Sequence, residues 1–368
     1  MKTYSTLAVF AVFVMSALVV TSSPVLAQII ECGEFSQETF GTRRVTIQNT
    51  EDLSCDGVSA PALTIEGPIS VDLNGITISC EPANVGATGI VLIGSGVTLK
   101  NGTISDCGRY GIVVAGNGKH QLHRLTVESK DLMEATGGAY DGGVGIAVMS
   151  NDNQIIKNEI KDYAGEGIRF TKDGEFSDKS GPFTGSFIKA NILIGNNNHA
   201  IRVELGDHNW VIHNVAYCNL GEGLRSQGKG NKFIGNYAAN NADEGIRLRD
   251  ESAQHNLVAY NHVVGNGFSV GFTFDNCDPI PDPYVCNPAI DNPGIAITSN
   301  SSRNKVIFNI VEDNCIGIGI QEGSSKNTIT DNSVEGSNLV DLADQNPNCD
   351  ENKWRRNEFE TSNANCIR

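Results

Sequence analysis

The chain repeats one phrase of polar and apolar positions: Asn, four residues, Asn, about nine residues, then Gly-Ile-x-apolar. The polar half reads NQIIKN at Asn153–Asn158, NWVIHN at Asn209–Asn214, NKFIGN at Asn231–Asn236 and NLVAYN at Asn256–Asn261. It resumes as NKVIFN at Asn304–Asn309, NTITDN at Asn327–Asn332 and NKWRRN at Asn352–Asn357. The apolar half starts at Gly145, Gly167, Ala200, Gly223, Gly245, Gly271, Gly294 and Gly317, at intervals of 22, 33, 23, 22, 26, 23 and 23 residues. Short Ile- and Val-rich segments that alternate inward and outward residues are strands. A period near 23 built from such strands is a solenoid, because one unit cannot bury its own apolar face. The Leu offsets of leucine-rich repeats and the long apolar periods of helical repeats are both absent. Asn at one position of successive coils can stack into an amide ladder. The predicted fold is therefore all-β: one right-handed parallel β-helix of about ten coils with a capped amino terminus. Ile168, Ile201, Leu224 and Ile246 should stack inside it.

Three segments divide the chain. Residues 1–27 combine Lys2, the apolar run Leu7–Val20 and the small-residue site Val25-Leu26-Ala27, the pattern of a cleavable signal peptide. A secreted or periplasmic protein is expected, and no other stretch is long enough for a membrane span. Residues 28–60 form a cap and entry segment, and 61–368 the β-helix. Within it Glu128–Gly143, Thr171–Gly185 and Asp275–Pro293 exceed the period. Insertions beside one sheet are expected to wall a groove along it. GFTF from Gly271 is expected to be one of the coils.

Ten cysteines in an exported chain point to disulfides. Cys277–Cys286 would clip a proline-rich excursion, Cys349–Cys366 would close the last coil, and Cys55–Cys80 stand one coil apart. Cys107, Cys218 and Cys315 read as buried stacking residues. No C-x-x-C occurs, so no zinc or redox centre is expected. Without Lys2 the chain carries 26 basic against 43 acidic residues, a net charge of −17, which argues against nucleic acid as a partner. No metal site is assigned; Ca2+ is the one cofactor the acidic surface admits, and a monomer is expected.

Candidate chemistry sits at the third residue of each Gly-led strand, which should point outward. Arg169, Arg202, Arg225 and Arg247 occupy four consecutive rungs, a stripe of roughly 14 Å at the spacing of parallel strands. Three residues earlier the column reads Glu166, His199, Glu222, Glu244. One reading is a surface ladder of Arg–Glu pairs contributing little. The other is a stripe that receives consecutive carboxylates of an acidic polysaccharide, since guanidinium groups pair bidentately with them. Lys172, Glu204 and Arg249 would extend that binding surface, with Gln227, Asp207, His208, Asp243, Tyr140 and Tyr163 within reach. The catalytic set would be His199, Arg202, Arg225, Glu222 and Glu244.

From Cys55 onward the chain resembles the pectin-lyase-like right-handed β-helix superfamily, through DLNGITI at Asp72–Ile78, GVTLKNGTI at Gly96–Ile104 and the Asn repeats. The entry segment, with Asp52-Leu53 and Cys55 before it, is similar to mannuronan C5-epimerase-type sequences. That resemblance implies polysaccharide lyases, hydrolases and uronate epimerases whose substrate lies along the arginine-bearing sheet. The chain lacks the Asp-Pro-His of bacterial alginate epimerases and the Asp-Asp of pectin hydrolases, so no catalytic residue transfers by motif. The leading expectation is a lyase or C5-epimerase: arginines or a bound cation offset the uronate carboxylate, His199 or else an arginine or lysine takes the C5 proton, and a tyrosine protonates the leaving oxygen or the opposite face. A hydrolase using paired carboxylates, with Glu166, Glu222, Asp243 and Glu244 as candidates, and a non-catalytic polysaccharide-binding protein are the alternatives.

Overall fold

The computed structural model describes residues 26–36, 38, 43–129, 143–268, 286 and 292–368. The chain winds as the Asn spacing requires. A corner needs a sharp reversal of backbone direction, and here it comes from one residue in the left-handed region. Lys157, Ala190, His213, Gly235, Tyr260, Phe308, Asp331 and Arg356 all have φ between 51° and 63°. Seven of these carry a Cβ, and that conformation costs such residues roughly 1–2 kcal/mol. The next residue is always Asn: Asn158, Asn191, Asn214, Asn236, Asn261, Asn309, Asn332 and Asn357. Each Asn Nδ2 donates to the Oδ1 of the next, at 2.9–3.1 Å. Each Oδ1 also accepts the backbone N–H of the preceding Asn, as Asn214 does from Asn191 at 3.0 Å.

Two more corners use the same device. Asn209, Asn231, Asn256, Asn304, Asn327 and Asn352 form a second column, each backbone N–H donating to the next Oδ1 at 2.7–3.0 Å. Asn196, Asn219, Asn241, Asn266 and Asn314 form a third, with amide bonds of 2.8–3.0 Å. Between corners the strands are short. Each regular coil gives two strands, such as Phe187–Lys189 and Ile192–Ile194, to a 22-stranded sheet and one, Ile201–Val203, to a 12-stranded sheet. All pairings are parallel and in register, with the inward positions Ile168, Ile201, Leu224 and Ile246 opposite one another and fully buried. The stack continues through Ile295, Ile318 and Leu342.

The structure bears on four expectations. Among the described residues the smaller sheet has twelve rungs, against the ten or so coils expected. Winding begins early: Gly33–Ser36 pairs in parallel with Leu63–Glu66, and Arg44–Ile47 with Ser70–Asp72, so strands of the expected cap already join the coils. Where GFTF from Gly271 is expected as a coil, Arg247 pairs directly with Ala296 and the ladder steps from Asn256 to Asn304. Gly271–Phe274 itself lies outside the described residues. The disulfides follow coil neighbours more than sequence neighbours. Cys286 bridges Cys315, not Cys277, which lies outside the described residues. Cys55 and Cys80 are in register, yet Cys55 bridges Cys32 and Cys80 bridges Cys107. Cys107 and Cys315 are thus bridged, and Cys218 is disulfide-bonded too. Cys349–Cys366 forms as expected.

Asn214 shows what the ladder is worth. Its Oδ1 accepts two bonds from Asn191, and its Nδ2 donates to the Ile188 carbonyl and to Asn236. Asn214→Ala strands a buried N–H and a buried carbonyl, so it should cost at least about 3 kcal/mol. Asn214→Asp, which keeps the acceptor, should cost less. Urea unfolding checks both; equal costs would mean that the acceptor does not matter.

Candidate functional site

The arginine stripe is real in register: Ala147, Arg169, Arg202, Arg225, Arg247 and Ala296 are successive partners on the outer face of the smaller sheet. Its glutamates are not surface groups. Glu166, Glu222 and Glu244 are each 1% exposed and His199 6%, so the column preceding each strand lies beneath the guanidinium groups. The position after it holds Gly167, Ala200, Gly223 and Gly245, and a Cβ on Gly223 would meet the Gly245 carbonyl at 2.7 Å.

Each arginine is held by carboxylates of its own and neighbouring coils. Arg169 Nη2 donates to Glu204 Oε2 at 2.8 Å, and its Nη1 lies 3.4 Å from Glu166 Oε1. Arg202 bridges Glu166 at 3.0 Å and Glu204 at 2.9 Å, while its Nε donates to Gln227 Oε1 at 3.3 Å. Arg247 Nη1 bridges Glu222 at 3.2 Å and Glu244 at 3.1 Å, with Nε on Thr298 Oγ1 at 3.2 Å. These pairs are largely shielded from water, so the cheap surface ladder is not what formed. Arg169, Arg202 and Arg247 still show 28, 17 and 21% of their side chains to solvent. Arg249 stands further out, 3.6 Å from Asp250, and Lys172 is exposed.

His199 is the centre of the cluster. Its Nδ1 contacts Glu222 Oε2, and its Nε2 lies 3.1 Å from Arg225 Nη1. A carboxylate only accepts and a guanidinium only donates, so the tautomer with its proton on Nδ1 is the one that suits both neighbours and turns the Nε2 lone pair to Arg225. The Glu222 backbone N–H also approaches Nδ1, at 3.1 Å, but the carboxylate is nearer. Gly221 makes the room: a Cβ there would stand 2.6 Å from Nδ1. Spacing alone gave Gly221 no part, because its role depends on the neighbouring coil. Arg225 Nε, Glu166 Oε2 and Glu222 Oε2, the last in contact with His199 Nδ1, are buried with no hydrogen-bond partner among the described residues, which marks this cluster as unfinished.

Burial and charge push the carboxyls apart. Burial would raise Glu222, but the hydrogen bond and charge of His199, with Arg225 and Arg247, outweigh it and hold Glu222 well below the ordinary carboxylate range. Glu244 goes the other way: burial, reinforced by the Glu222 and Asp243 carboxylates, pushes it up to about 8 against the pull of Arg247. Asp243 is also raised, by burial and then by Glu222. Burial lowers Arg225, helped by the charges of Arg202, Arg249 and Arg247.

Other expected residues serve the scaffold. Tyr163 is fully buried and donates to the Cys107 carbonyl at 3.3 Å, so it does not reach the groove. Asp207 Oδ1 accepts the Lys229 N–H, and His208 is a left-handed corner before Asn209. Tyr140 lies outside the described residues. The Thr171–Gly185 insertion acts as a strap. Asp173 and Glu175 pair with Arg109 at 2.7 and 2.6 Å, Phe176 stacks edge-on against Tyr110, and Lys179 reaches the Gly116 carbonyl. Arg109 and Gly116 flank the strand Tyr110–Val114, so the strap crosses the outer face of that strand. Outward residues Val113 and Ala147 are accordingly fully buried. The face is covered up to Ala147 and opens at Arg169.

The raised Glu244 predicts a pH signature. Below 4.5 both folded and unfolded states hold its proton; from 4.5 to about 8 only the folded state does. Unfolding then releases a proton, so stability falls as pH rises across that window. Glu244→Gln, which stays neutral, should flatten this part of the melting-temperature profile. A Glu244→Gln profile parallel to that of the parent protein would show that Glu244 titrates normally.

Comparison with known proteins agrees with this architecture. The chain matches the family described as right handed beta helix region over residues 45–215 and 140–359. No curated protein sequence matches it. Among solved structures, the A-module of the Azotobacter vinelandii mannuronan C-5 epimerase AlgE4 is similar, with a TM-score of 0.60 and 14% identity over 85% of this chain and 86% of that one. The AlgE6 A-module from the same organism gives 0.54 at 13% identity, covering 88% and 89% of the two chains. The Dettilon tailspike protein gives 0.58 at 14% identity over 86% of this chain, which spans 61% of the tailspike. At such identities the likeness is one of fold. With the family match covering most of its length, the chain belongs to the right-handed β-helix family.

Proposed function

We propose that the open face of the smaller sheet binds an acidic, uronate-containing polysaccharide and removes the proton at C5, as a lyase or a C5-epimerase. One observation carries this reading: a histidine whose Nδ1 lies against a buried carboxylate and whose Nε2 lies 3.1 Å from an arginine of the outer stripe. The proton beside a uronate carboxylate becomes acidic only when that carboxylate's charge is offset. Arg202 and Arg247, partly exposed on either side of Arg225, supply the offset. An entering carboxylate competes for the Arg225 guanidinium, drawing it off Nε2 and leaving the lone pair to accept the C5 proton. Glu222 then stabilises the imidazolium formed. Glu244 faces a cavity beside Arg247 and keeps its proton near neutrality, which suits it to protonate the leaving oxygen or the opposite ring face. The mannuronan epimerase modules share the fold and support this class of substrate. The disulfides suit an oxidising compartment, in keeping with a cleaved leader and a secreted or periplasmic location.

A glycoside hydrolase is the second reading. The opposite shifts of Glu222 and Glu244, two carboxyls bridged by Arg247, are also the arrangement of an ionised carboxylate beside a general acid. Incubation with alginate, pectate and neutral glycans separates the readings. An ultraviolet-absorbing unsaturated uronate identifies a lyase, deuterium uptake at C5 without cleavage an epimerase, and new reducing ends alone a hydrolase. Retention without change identifies a binding protein.

His199→Ala should lower turnover by about 10²- to 10⁴-fold with substrate affinity nearly intact. Gly221→Ala should lower turnover too, although the side chain touches no substrate, because its methyl group displaces the imidazole. Arg202→Ala should weaken polysaccharide binding by about 1–3 kcal/mol, less as salt is added. Steady-state kinetics and affinity electrophoresis measure these effects. Turnover in His199→Ala equal to that of the parent protein would remove the proposed base.

A further inference from the structure

Beyond Arg247 the outer face changes character. The register passes from arginine to Ala296, Gly319 and Ala343, so three rungs lose their long side chains together. Gly319 and Ala343 line a cavity of about 430 Å³, within the range of small-ligand sites. Its polar walls are the next outward column, Thr298, Gln321 and Gln345, with Asn292 opposite. Pro293, Ile316 and Ile320 supply apolar surface, and Gly319 lies so close to Pro293 that a Cβ would stand 2.6 Å from its Cγ. The arginine stripe meets the cavity at Arg247, Glu244 and Asp243.

This lining suits one chemistry. Amides and a hydroxyl both donate and accept, as sugar hydroxyls require, and the aliphatic groups suit the C–H face of a ring. A second carboxylate fits poorly. Arg247 is the one cationic side chain in the lining and is held by Glu222 and Glu244, and Asp243, with Asn292 Nδ2 on its Oδ1 at 3.2 Å, adds negative charge. The strap closes the face on the amino-terminal side of the stripe, so a chain laid on the arginines extends toward this cavity.

We propose that the cavity over Gly319 and Ala343 is a subsite for an uncharged sugar, so that the preferred ligand is a heteropolymer in which uronate is followed by a neutral unit. This rests on the uronate reading of the arginine stripe and specifies the neighbour that reading leaves open.

The test measures binding of three size-matched oligosaccharide probes to the full chain: hyaluronan fragments, in which glucuronate alternates with an uncharged amino sugar; polygalacturonate; and neutral chito-oligosaccharides. The parent protein should prefer the alternating probe to polygalacturonate by about tenfold or more. Ala343→Leu, which fills the cavity, should erase that preference and leave polygalacturonate binding unchanged. Gln321→Ala, an exposed position whose loss leaves the core intact, should reduce the preference at least threefold if the leucine variant fails to fold. Equal affinity for the two acidic probes, or a preference untouched by Gln321→Ala and by a folded Ala343→Leu, overturns the proposal. Cavity-dependent binding of the chito-oligosaccharide with no binding of either acidic probe upholds the neutral subsite and removes the uronate reading. Binding of none of the three overturns both.

Discussion

From Asn153 onward the coils depend on the pairing of a left-handed corner residue with the asparagine that follows it. A parallel coil must turn three times in about 23 residues, and each turn buries backbone groups that strands cannot satisfy. The asparagine side chain meets that demand on both sides. Its oxygen accepts the N–H of the preceding coil, and its nitrogen reaches a carbonyl and the next amide, as Asn191 does to the Ile155 carbonyl and Asn214. A shorter acid would lack the donor and a longer amide would overshoot. Once these bonds are fixed, the register of every rung is fixed, and with it which residues stand above one another.

Register converts a sequence period into a charge cluster. Four arginines and three glutamates at matching offsets would be unremarkable on a loop-rich surface. Stacked at the rung spacing and buried beneath the guanidinium groups, they form a network whose desolvation is costly unless the geometry is good. Among the described residues the network is not completely satisfied, with Arg225 Nε, Glu166 Oε2 and Glu222 Oε2 left over. Removing one member would strand a buried charge, which is why single substitutions here carry information about both stability and binding. His199 replaces a glutamate in this column, and that one change supplies a lone pair where the other rungs offer only carboxylates.

The period, the inward stack and the arginine rungs were legible because each is a local rule repeated. What was not legible depends on neighbours in space. The interval from Gly245 to Gly294 is 49 residues, which counts equally well as two coils or as one coil and an excursion. The ladder bond from Asn256 to Asn304 selects the second. Cysteines at one-coil separations had the same ambiguity: Cys32, Cys55, Cys80 and Cys107 are evenly spaced, so alternate pairings look alike in sequence. The burial of Glu166, Glu222 and Glu244 was hidden because strand alternation does not say which side a residue takes at a corner. The room that Gly221 leaves for His199 belongs to the contact between two coils and has no signature in either.

A solenoid also explains how such a site can be shaped without endangering the fold. Each coil contacts only its neighbours, so an insertion between corners leaves the ladder unbroken on either side. The strap after Phe170 and the long excursion before Pro293 fall at the two ends of the arginine stripe. The first covers Val113 and Ala147, where the stripe would otherwise run on. At the other end Pro293 stands against Gly319, where the stripe gives way to small residues and a cavity. The ladder holds the rungs in place while the strap and Pro293 bound the stripe, so the extent of the groove is set by departures that the ladder tolerates.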